Sequence, residues 1–493
     1  MAIHNIHTLK LKVLNNARKL VGKAKAIDEY KQWVMAIGSG HVERVDHLVR
    51  VNLAHRAAVG IYKPRNYTEV DHLRGLLMWR LGGAQLAGIG QHALHLPSLT
   101  TLRRNMPTLE EVTQNVKNVF APIMSLLTKD KKIVHQVLMF DELKVEEHPQ
   151  YDEKMNKILG FCHEHTTPSS LEYASENEIK LLLDGVQKQE VHLAVDHVTL
   201  IQTAFDASHQ SGLCTISIAS DGESRCRQAL VLFTFKKQLS QDSPIWDQLS
   251  SLEMMNLEVS DDDVTADKDY KHIFKRLCNL LLRETGILVY RVHMKPAGVR
   301  SHLHTNNVSL QRSSYLLNPE DRQDVYLAYD LLQEIWRLLN APTDARPGFR
   351  DHCCALQVLG ELFCNLILPY ICVDLSLSDQ LVHLSSAAHL LMALWSDEKA
   401  TTKLMPTQLY VDIMIAVKNV YFSVAKAKVD DPDGEFWIIL LGTDRLEMMF
   451  GILRTMVGND ANLDLRQLGE RLTGTTKVST ILAKYPHWDR APH

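Results

Sequence analysis

Two runs of β-forming residues in this 493-residue chain stop on an aspartate, 80 residues apart. Ile133-Val-His-Gln-Val-Leu-Met-Phe140 gives way to Asp141-Glu142, and Cys214-Thr-Ile-Ser-Ile-Ala-Ser220, with a clean period of two, gives way to Asp221-Gly222. Strands that close on carboxylates and lead into helices point to an α/β or α+β core, with its site outside the carboxyl ends of the strands. Two further strands are expected at 157–162 and 191–204. Residues 133–141, 157–165, 191–204 and 214–220 then form one mixed sheet. Residues 225–235 and 270–283 read as helices, and the acidic stretch 257–269 as a loop.

From 319 to 430 almost every segment has helical spacing, punctuated by Pro342, Pro347, Pro369 and Pro406. The most apolar stretch, 359–377, contains Glu361, Asn365, Pro369 and Asp374, so it is expected to be buried helix and not a membrane span. Past it, Gly-Thr-Asp-Arg-Leu-Glu447 opens an amphipathic helix. Asp444 and Glu447 are three residues apart and share a face of that helix, with Leu446, Met449, Phe450 and Leu453 opposite. The carboxylates therefore recur at 141, 221 and 444–447, on two strand ends and one helix start. Such oxygen donors suit Mg²⁺, which also binds substrate phosphates. Two such ions support an in-line displacement at phosphorus. Each element alone also reads as an ordinary turn or cap.

Lys plus Arg number 54 and Asp plus Glu 58, for a net charge of −4, which excludes a globally basic nucleic-acid binder but not a basic face. Such faces are available in 1–27, where Lys10, Lys12, Arg18 and Lys19 lie in a stretch without acids. A second is the segment after Pro97-Ser98, a helix-start signal that sets Arg103 and Arg104 in the next turns. Both suit DNA phosphates and both suit plain solvation. Eight cysteines include no C-x-x-C pair, so zinc-finger spacing is absent and reduced thiols are expected.

The chain resembles the P-element transposase family, including its THAP-domain-bearing animal relatives, and looks like the transposon-derived frames of fungi. Four stretches carry the resemblance. The first is Phe140-Asp141-Glu142, with Tyr151-Asp152 and Gly160-Phe161 after it. The second is Ser220-Asp221-Gly222, although Arg225, Cys226 and Arg227 stand where family members place an Asn. The third is Asp269-Tyr-Lys-His272-Ile-Phe-Lys275-Arg-Leu-Cys278-Asn279. The fourth and most specific is Asp444-Arg-Leu-Glu447-Met-Met-Phe450-Gly451-Ile-Leu-Arg454.

The resemblance implies an RNase H-like mixed-sheet core split by a large helical insertion, of α+β class, behind a helical N-terminal region. Residues 1–128 would be that region, able to contact DNA. Residues 129–290 would be the first part of the core, 291–435 the insertion, and 436–493 the return to the core with its catalytic helix. Asp141, Asp221 and Glu447 would be the catalytic metal ligands for Mg²⁺ or Mn²⁺, their carboxylates within roughly 8 Å of one another so that one metal cluster reaches all three. Asp444 and His272 would be accessory groups. The resemblance further implies DNA as partner, GTP at the insertion, a homo-oligomer, no membrane, and the nucleus as location. The family's zinc-bearing N-terminal domain is expected to be missing, since no cysteine precedes Cys162. The expected activity is that of a DDE-type DNA transposase, with metal-dependent strand cleavage and transfer. The alternative is a catalytically inactive, transposon-derived DNA-binding or interaction protein.

Overall fold

A computed structural model of the chain describes residues 67–94, 96–104, 135–141, 150–152, 157–159, 194–210, 212–220, 224–317, 323–338, 346–396, 401–455 and 465–488. Lys10, Lys12, Arg18, Lys19 and Asp221 lie outside them. The described residues fall into two compact units. One draws on 1–110, 144–186 and 451–493, the other on 111–143 and 187–450.

The first unit opens with helices α1 (Glu69–Leu94) and α2 (Leu99–Arg104). Thr68 and Asp71 cap α1 reciprocally, the Asp71 amide donating to Thr68 Oγ1 (3.2 Å) and the Thr68 amide to Asp71 Oδ2 (2.9 Å). Ser98 caps α2 as its position before the helix predicts, accepting from the Thr101 amide at 3.3 Å. Leu102 is buried, whereas Arg103 and Arg104 are exposed.

The second unit is built on strand β1 (His135–Phe140). Strands β2 (Gln150–Asp152) and β3 (Lys157–Leu159) follow in sequence but belong to the first unit, where they form an antiparallel pair. Helix α3 (Ala194–Gln210) then leads to β4 (Cys214–Ser220), and α4 (Ser224–Thr234) follows β4. The short strands β5 (Lys237–Gln238) and β6 (Glu258–Val259) pair with each other, and β7 (Thr265–Lys268) comes next. The central sheet has the order β1-β4-β7 and is parallel throughout.

Three expectations change here. The sheet is parallel and not mixed among the described residues, and β2 and β3 do not join it. Residues 191–204 were expected as a strand, yet 194–210 form α3. Val198, Ile201 and Phe205 recur at helical spacing and pack with Ile218, Leu230 and Phe233, so burial on one helix face overrides the local β-propensity. The stretch 257–269, expected as an acidic loop, contains β6 and β7. All four residues of β7 are buried, Asp267 and Lys268 included.

Parallel neighbours need crossover connections, and α3 and α4 supply them. Together they cover one face of the sheet through Ile201, Phe205, Ala229, Leu230 and Phe233. The other face is covered from far along the chain. After α5 (Tyr270–Leu281) and the hairpin β8 (Ile287–Val289) and β9 (Val292–Met294), the region is helical as expected. It comprises α6 (Pro296–Thr305), α7 (Leu310–Leu316), α8 (Val325–Arg337), α9 (Pro347–Ile371), α10 (Leu377–Ser396) and α11 (Thr407–Asp430). Helix α11 lies on β4 and β7 and is joined to β7 by a buried hydrogen bond from Thr265 Oγ1 to Asn419 Oδ1 (2.7 Å).

The large core of this region includes Leu331, Leu332 and Ile335 of α8, Leu359 and Phe363 of α9, and Leu384 and Leu391 of α10. Each such side chain contributes about 2–3 kcal/mol on burial. A Cβ at Gly360 would stand 2.8 Å from the Ile335 carbonyl oxygen, so glycine permits the close crossing of α8 and α9. Helix α9 is long and apolar enough to cross a membrane, and 61% of its most apolar window is buried inside the protein. Helix α12 (Asp444–Thr455) and, in the first unit, α13 (Leu465–Lys484) complete the described chain.

Candidate metal centre

The register of the sheet aligns its carboxyl edge. Phe140 pairs with Ser220 and Ser220 with Lys268, so the three strands end level. The next residue after each strand is an aspartate: Asp141, Asp221 and Asp269. With strands about 4.8 Å apart, the level ends of β1 and β7 are roughly 10 Å from each other. Asp141 is half-buried at its position.

Asp269 caps α5. Its Oδ1 accepts from the amides of Lys271 (2.7 Å) and His272 (3.0 Å). Its Oδ2 accepts from the amide of Thr443 (2.9 Å) and from Thr443 Oγ1 (3.0 Å). Asp267 adds a second tie, accepting from the amide of Gly442 at 2.7 Å. Gly442 and Thr443 are the two residues before α12. Two buried carboxylates from β7 and its end therefore seat the start of the helix that carries Asp444 and Glu447. Gly442 has φ 91°, and a Cβ there would meet Asp269 Oδ2 at 3.1 Å, so the seat requires glycine.

The electrostatics of the two aspartates diverge. Burial pushes the Asp267 carboxyl up to about 7, against the hydrogen bonds from the Gly442 and Lys268 amides. Burial acts upward on Asp269 too, but the His272 ring and the amides outweigh it and hold the carboxyl well below the usual range.

Glu447 lies in the first turn of α12, with its side chain 44% exposed. His272 Nδ1 stands 3.5 Å from Asp269 Oδ1 and 3.6 Å from Glu447 Oε1, and it is buried with no hydrogen-bond partner among the described residues. Donor atoms of Asp269, His272 and Glu447 all lie within 4.8 Å of one another. Asp269 already accepts four hydrogen bonds, which leaves its oxygens little capacity for an ion. Glu447 accepts none from the described residues. Asp444 forms an ion pair with Lys271. Among the described residues, Glu447 is thus the member of this set whose carboxylate accepts no hydrogen bond, the kind of hard oxygen donor a divalent cation takes, and Asp141 follows β1 at the same edge of the sheet.

His272, Asp444 and Glu447 are thus brought together, and Asp141 stands on the strand edge that this cluster adjoins. Sequence reasoning gave no role to Asp267, Asp269, Gly442 or Thr443. An Asp directly before a helix was a readable cap signal for Asp269. Nothing in the sequence marked Asp267. Arg227, near the position where an Asn was expected, makes a two-pronged contact with Asp412 of α11 (3.1 and 3.2 Å), and Cys226 is fully buried. Arg103 and Arg104 are on α2 in the other unit.

No family model matches the chain, and none of the curated proteins matches it. Among solved structures, the fold is similar to one described as the Drosophila P element transposase strand transfer complex. The TM-score is 0.55 and the identity 14%, over 91% of this chain and 99% of that chain. At that identity the likeness is one of fold, and the chain has a fold of the P element transposase type.

Proposed function

We propose that this protein is a DDE-type, transposase-like protein acting on DNA, with metal-dependent strand cleavage and transfer at an RNase H-like core. The observation that carries the reading is the seating of α12. Asp267 and Asp269, at the end of β7, hold Gly442 and Thr443 and so set Glu447 against the carboxyl edge of a parallel sheet. Ligands of open α/β sheets bind at that edge. The likeness in fold to the P element transposase agrees with it.

Asp141, Asp221 and Glu447 would hold Mg²⁺ or Mn²⁺. When bound, the ion supplies positive charge to the oxygens of the scissile phosphodiester. Asp269 fixes the approach of α12 and is a positioning residue. His272, set between Asp269 and Glu447, would orient the Glu447 carboxylate, and Lys271 restrains Asp444. DNA is the proposed partner, with Arg103 and Arg104 contributing phosphate contacts that carry no sequence information.

The test is nicking of supercoiled plasmid with Mg²⁺ or Mn²⁺ by the full chain and by Asp141→Asn, Asp221→Asn and Glu447→Gln. These changes keep shape and remove charge. Nicking by the parent that each variant loses supports the reading. Nicking that survives all three overturns it.

A second reading is favoured by one observation. Cys226 and Arg227, near the position where the resemblance expects an Asn, are committed to the core and to Asp412. In that reading the protein is a transposon-derived DNA-binding or interaction protein without catalysis. Salt-dependent DNA binding with no cleavage under either metal selects it.

A further inference from the structure

At the amino edge of the same sheet stands a different set of donors. His135 is the first residue of β1, Cys214 the first of β4, and the two are paired in the register. Asp430, the last residue of α11, joins them. One ring nitrogen of His135, the Cys214 sulfur and a carboxylate oxygen of Asp430 all lie within 4.8 Å of one another. His135 Nε2 is 2.7 Å from Asp430 Oδ2, with the two side chains 21% and 25% exposed. A cleft of about 300 Å³ opens beside Cys214, with Phe205 and Leu213 in its wall and His209 and Asp262 on its rim.

We propose that His135, Cys214 and Asp430 form a binding site for a borderline transition metal, Zn²⁺ in the first instance. It is separate from the carboxylate edge and independent of the function proposed there. An imidazole nitrogen, a thiolate and a carboxylate match the donor preference of zinc, whereas a sulfur donor counts against Mg²⁺ and Ca²⁺. Three protein donors leave the fourth tetrahedral position for water, or for a ligand entering by the cleft.

Bond lengths of about 2.0–2.3 Å put the donors of a tetrahedral zinc roughly 3.3–3.8 Å apart. The cluster must close by about 1 Å at its widest, and the His135–Asp430 contact must open by a little over half an ångström. Both changes fall to side-chain rotation of Cys214 and Asp430. Two helix C-termini also converge on the site. Helix α3 ends at Gln210, four residues before Cys214, and α11 ends at Asp430 itself. The partial negative charge of helix C-termini favours a cation.

The simpler account is a lone His135–Asp430 hydrogen bond tying β1 to α11. That account gives Cys214 no part. Among the described residues two things oppose the metal: burial, which raises the Cys214 thiol, and the ammonium of Lys426, which donates to the carbonyls of Ile216 (3.3 Å) and Asp262 (3.0 Å). Asp262, Asp263 and Asp430 all act on Lys426 electrostatically, so acids outnumber it around the site.

The test uses the full chain, stripped with a chelator, and Co²⁺ as the probe. One equivalent is expected to bind with the visible absorption of a tetrahedral ion and a thiolate-to-cobalt band in the near ultraviolet, and Zn²⁺ is expected to displace it. Cys214→Ser is expected to abolish the thiolate band. Asp430→Asn, at a half-exposed helix end, is expected to weaken binding about tenfold or more while the circular dichroism is unchanged. Zn²⁺ is also expected to raise the unfolding temperature of the parent and not of Cys214→Ser. Absence of stoichiometric binding to the folded parent overturns the proposal. So does a thiolate band that persists in Cys214→Ser, or Co²⁺ affinity unchanged in Asp430→Asn.

Discussion

The two edges of the β1-β4-β7 sheet carry opposite chemistry on one backbone pattern. At the carboxyl edge the chain leaves the strands into helix N-termini. Asp269 caps α5, and Glu447 lies in the first turn of α12. At the amino edge the chain arrives from helix C-termini, α3 ahead of β4 and α11 above them, with His135 and Cys214 starting the strands. Helix N-termini favour ionised carboxylates, and C-termini favour cations. Parallel topology therefore sorts hard oxygen donors to one edge and a mixed nitrogen, sulfur and oxygen set to the other. The lesson is that the helix ends at each edge bear on its charge, while the donors themselves come from the strand ends and from α11 and α12.

The largest expected effect separates the edges by activity. Glu447→Gln and Asp141→Asn should lower Mg²⁺-supported nicking by about 10²–10³-fold or more, the scale of losing one electrostatic stabiliser of a transition state. Cys214→Ser should leave nicking within about twofold of the parent. Rates measured on plasmid under single-turnover conditions check both. Equal losses at the two edges would break the comparison.

Next in size is the seat of α12. Gly442→Ala places a Cβ at φ 91° and 3.1 Å from Asp269 Oδ2. Backbone strain and the displaced hydrogen bonds together should cost about 2–3 kcal/mol. Urea unfolding of the full chain measures it. Co²⁺ binding at His135, Cys214 and Asp430 should be unchanged in the folded fraction. A stability loss under about 0.5 kcal/mol would mean that α12 is not held through this turn.

What the sequence revealed follows from which interactions are local. β4 was legible because Ile216 and Ile218 alternate with polar residues, and α12 because its apolar positions recur at helical spacing. The carboxylates 141 and 447 stood out because each sits at the end or start of such a segment. β7 was not legible. Thr265-Ala-Asp-Lys268 has the composition of a loop, and its burial comes from pairing with β4 and from packing on α11, where Thr265 bonds Asn419, 154 residues away. Residues 194–204 misled because Val and Ile favour strands locally, while Phe205 and its packing on Phe233 are tertiary facts. The His135, Cys214 and Asp430 set was invisible for the same reason: Cys214 and Asp430 are 216 residues apart in sequence.

The edges should also differ in their response to pH. Burial lifts Asp267 to about 7 from an ordinary 3.8, so between those values the folded protein binds more protons than the unfolded chain, and stability falls as pH rises. Burial lowers Lys426 to about 8 from an ordinary 10.5, so between those values the folded protein binds fewer protons, and stability rises with pH. Each limb should amount to about 1–2 kcal/mol, since each pKa unit corresponds to about 1.4 kcal/mol and relaxation reduces the full figure. His302, lowered to about 4 by burial, opposes the first limb, and Lys418, lowered to about 8 by burial, adds to the second, so urea midpoints from pH 5 to 10 should show each limb as the difference between parent and variant. Asp267→Asn should change only the acid limb, and Lys426→Met should remove only its own share of the alkaline one. A single variant that flattens both would mean that the two edges are electrostatically coupled.

The smallest effect lies outside the sheet, on α2, and sharpens the comparison by separating binding from chemistry. Arg104 is exposed, and Arg103 is exposed with its guanidinium 5.7 Å from the Trp79 ring centroid. If both reach phosphates, Arg104→Ala should weaken DNA binding only a few-fold at low salt. It should also reduce the slope of log K against log salt by about 1, equally for unrelated sequences. Arg103→Ala should do the same and lose a further 0.5–1 kcal/mol or so of stability, the size of an exposed cation–π contact. Neither change should alter the nicking rate at saturating DNA, because both residues belong to the first unit and the carboxylates to the second. Fluorescence anisotropy across a salt series measures the slope. An unchanged slope in the double variant would place the phosphate contacts elsewhere and leave α2 as a solvated helix end.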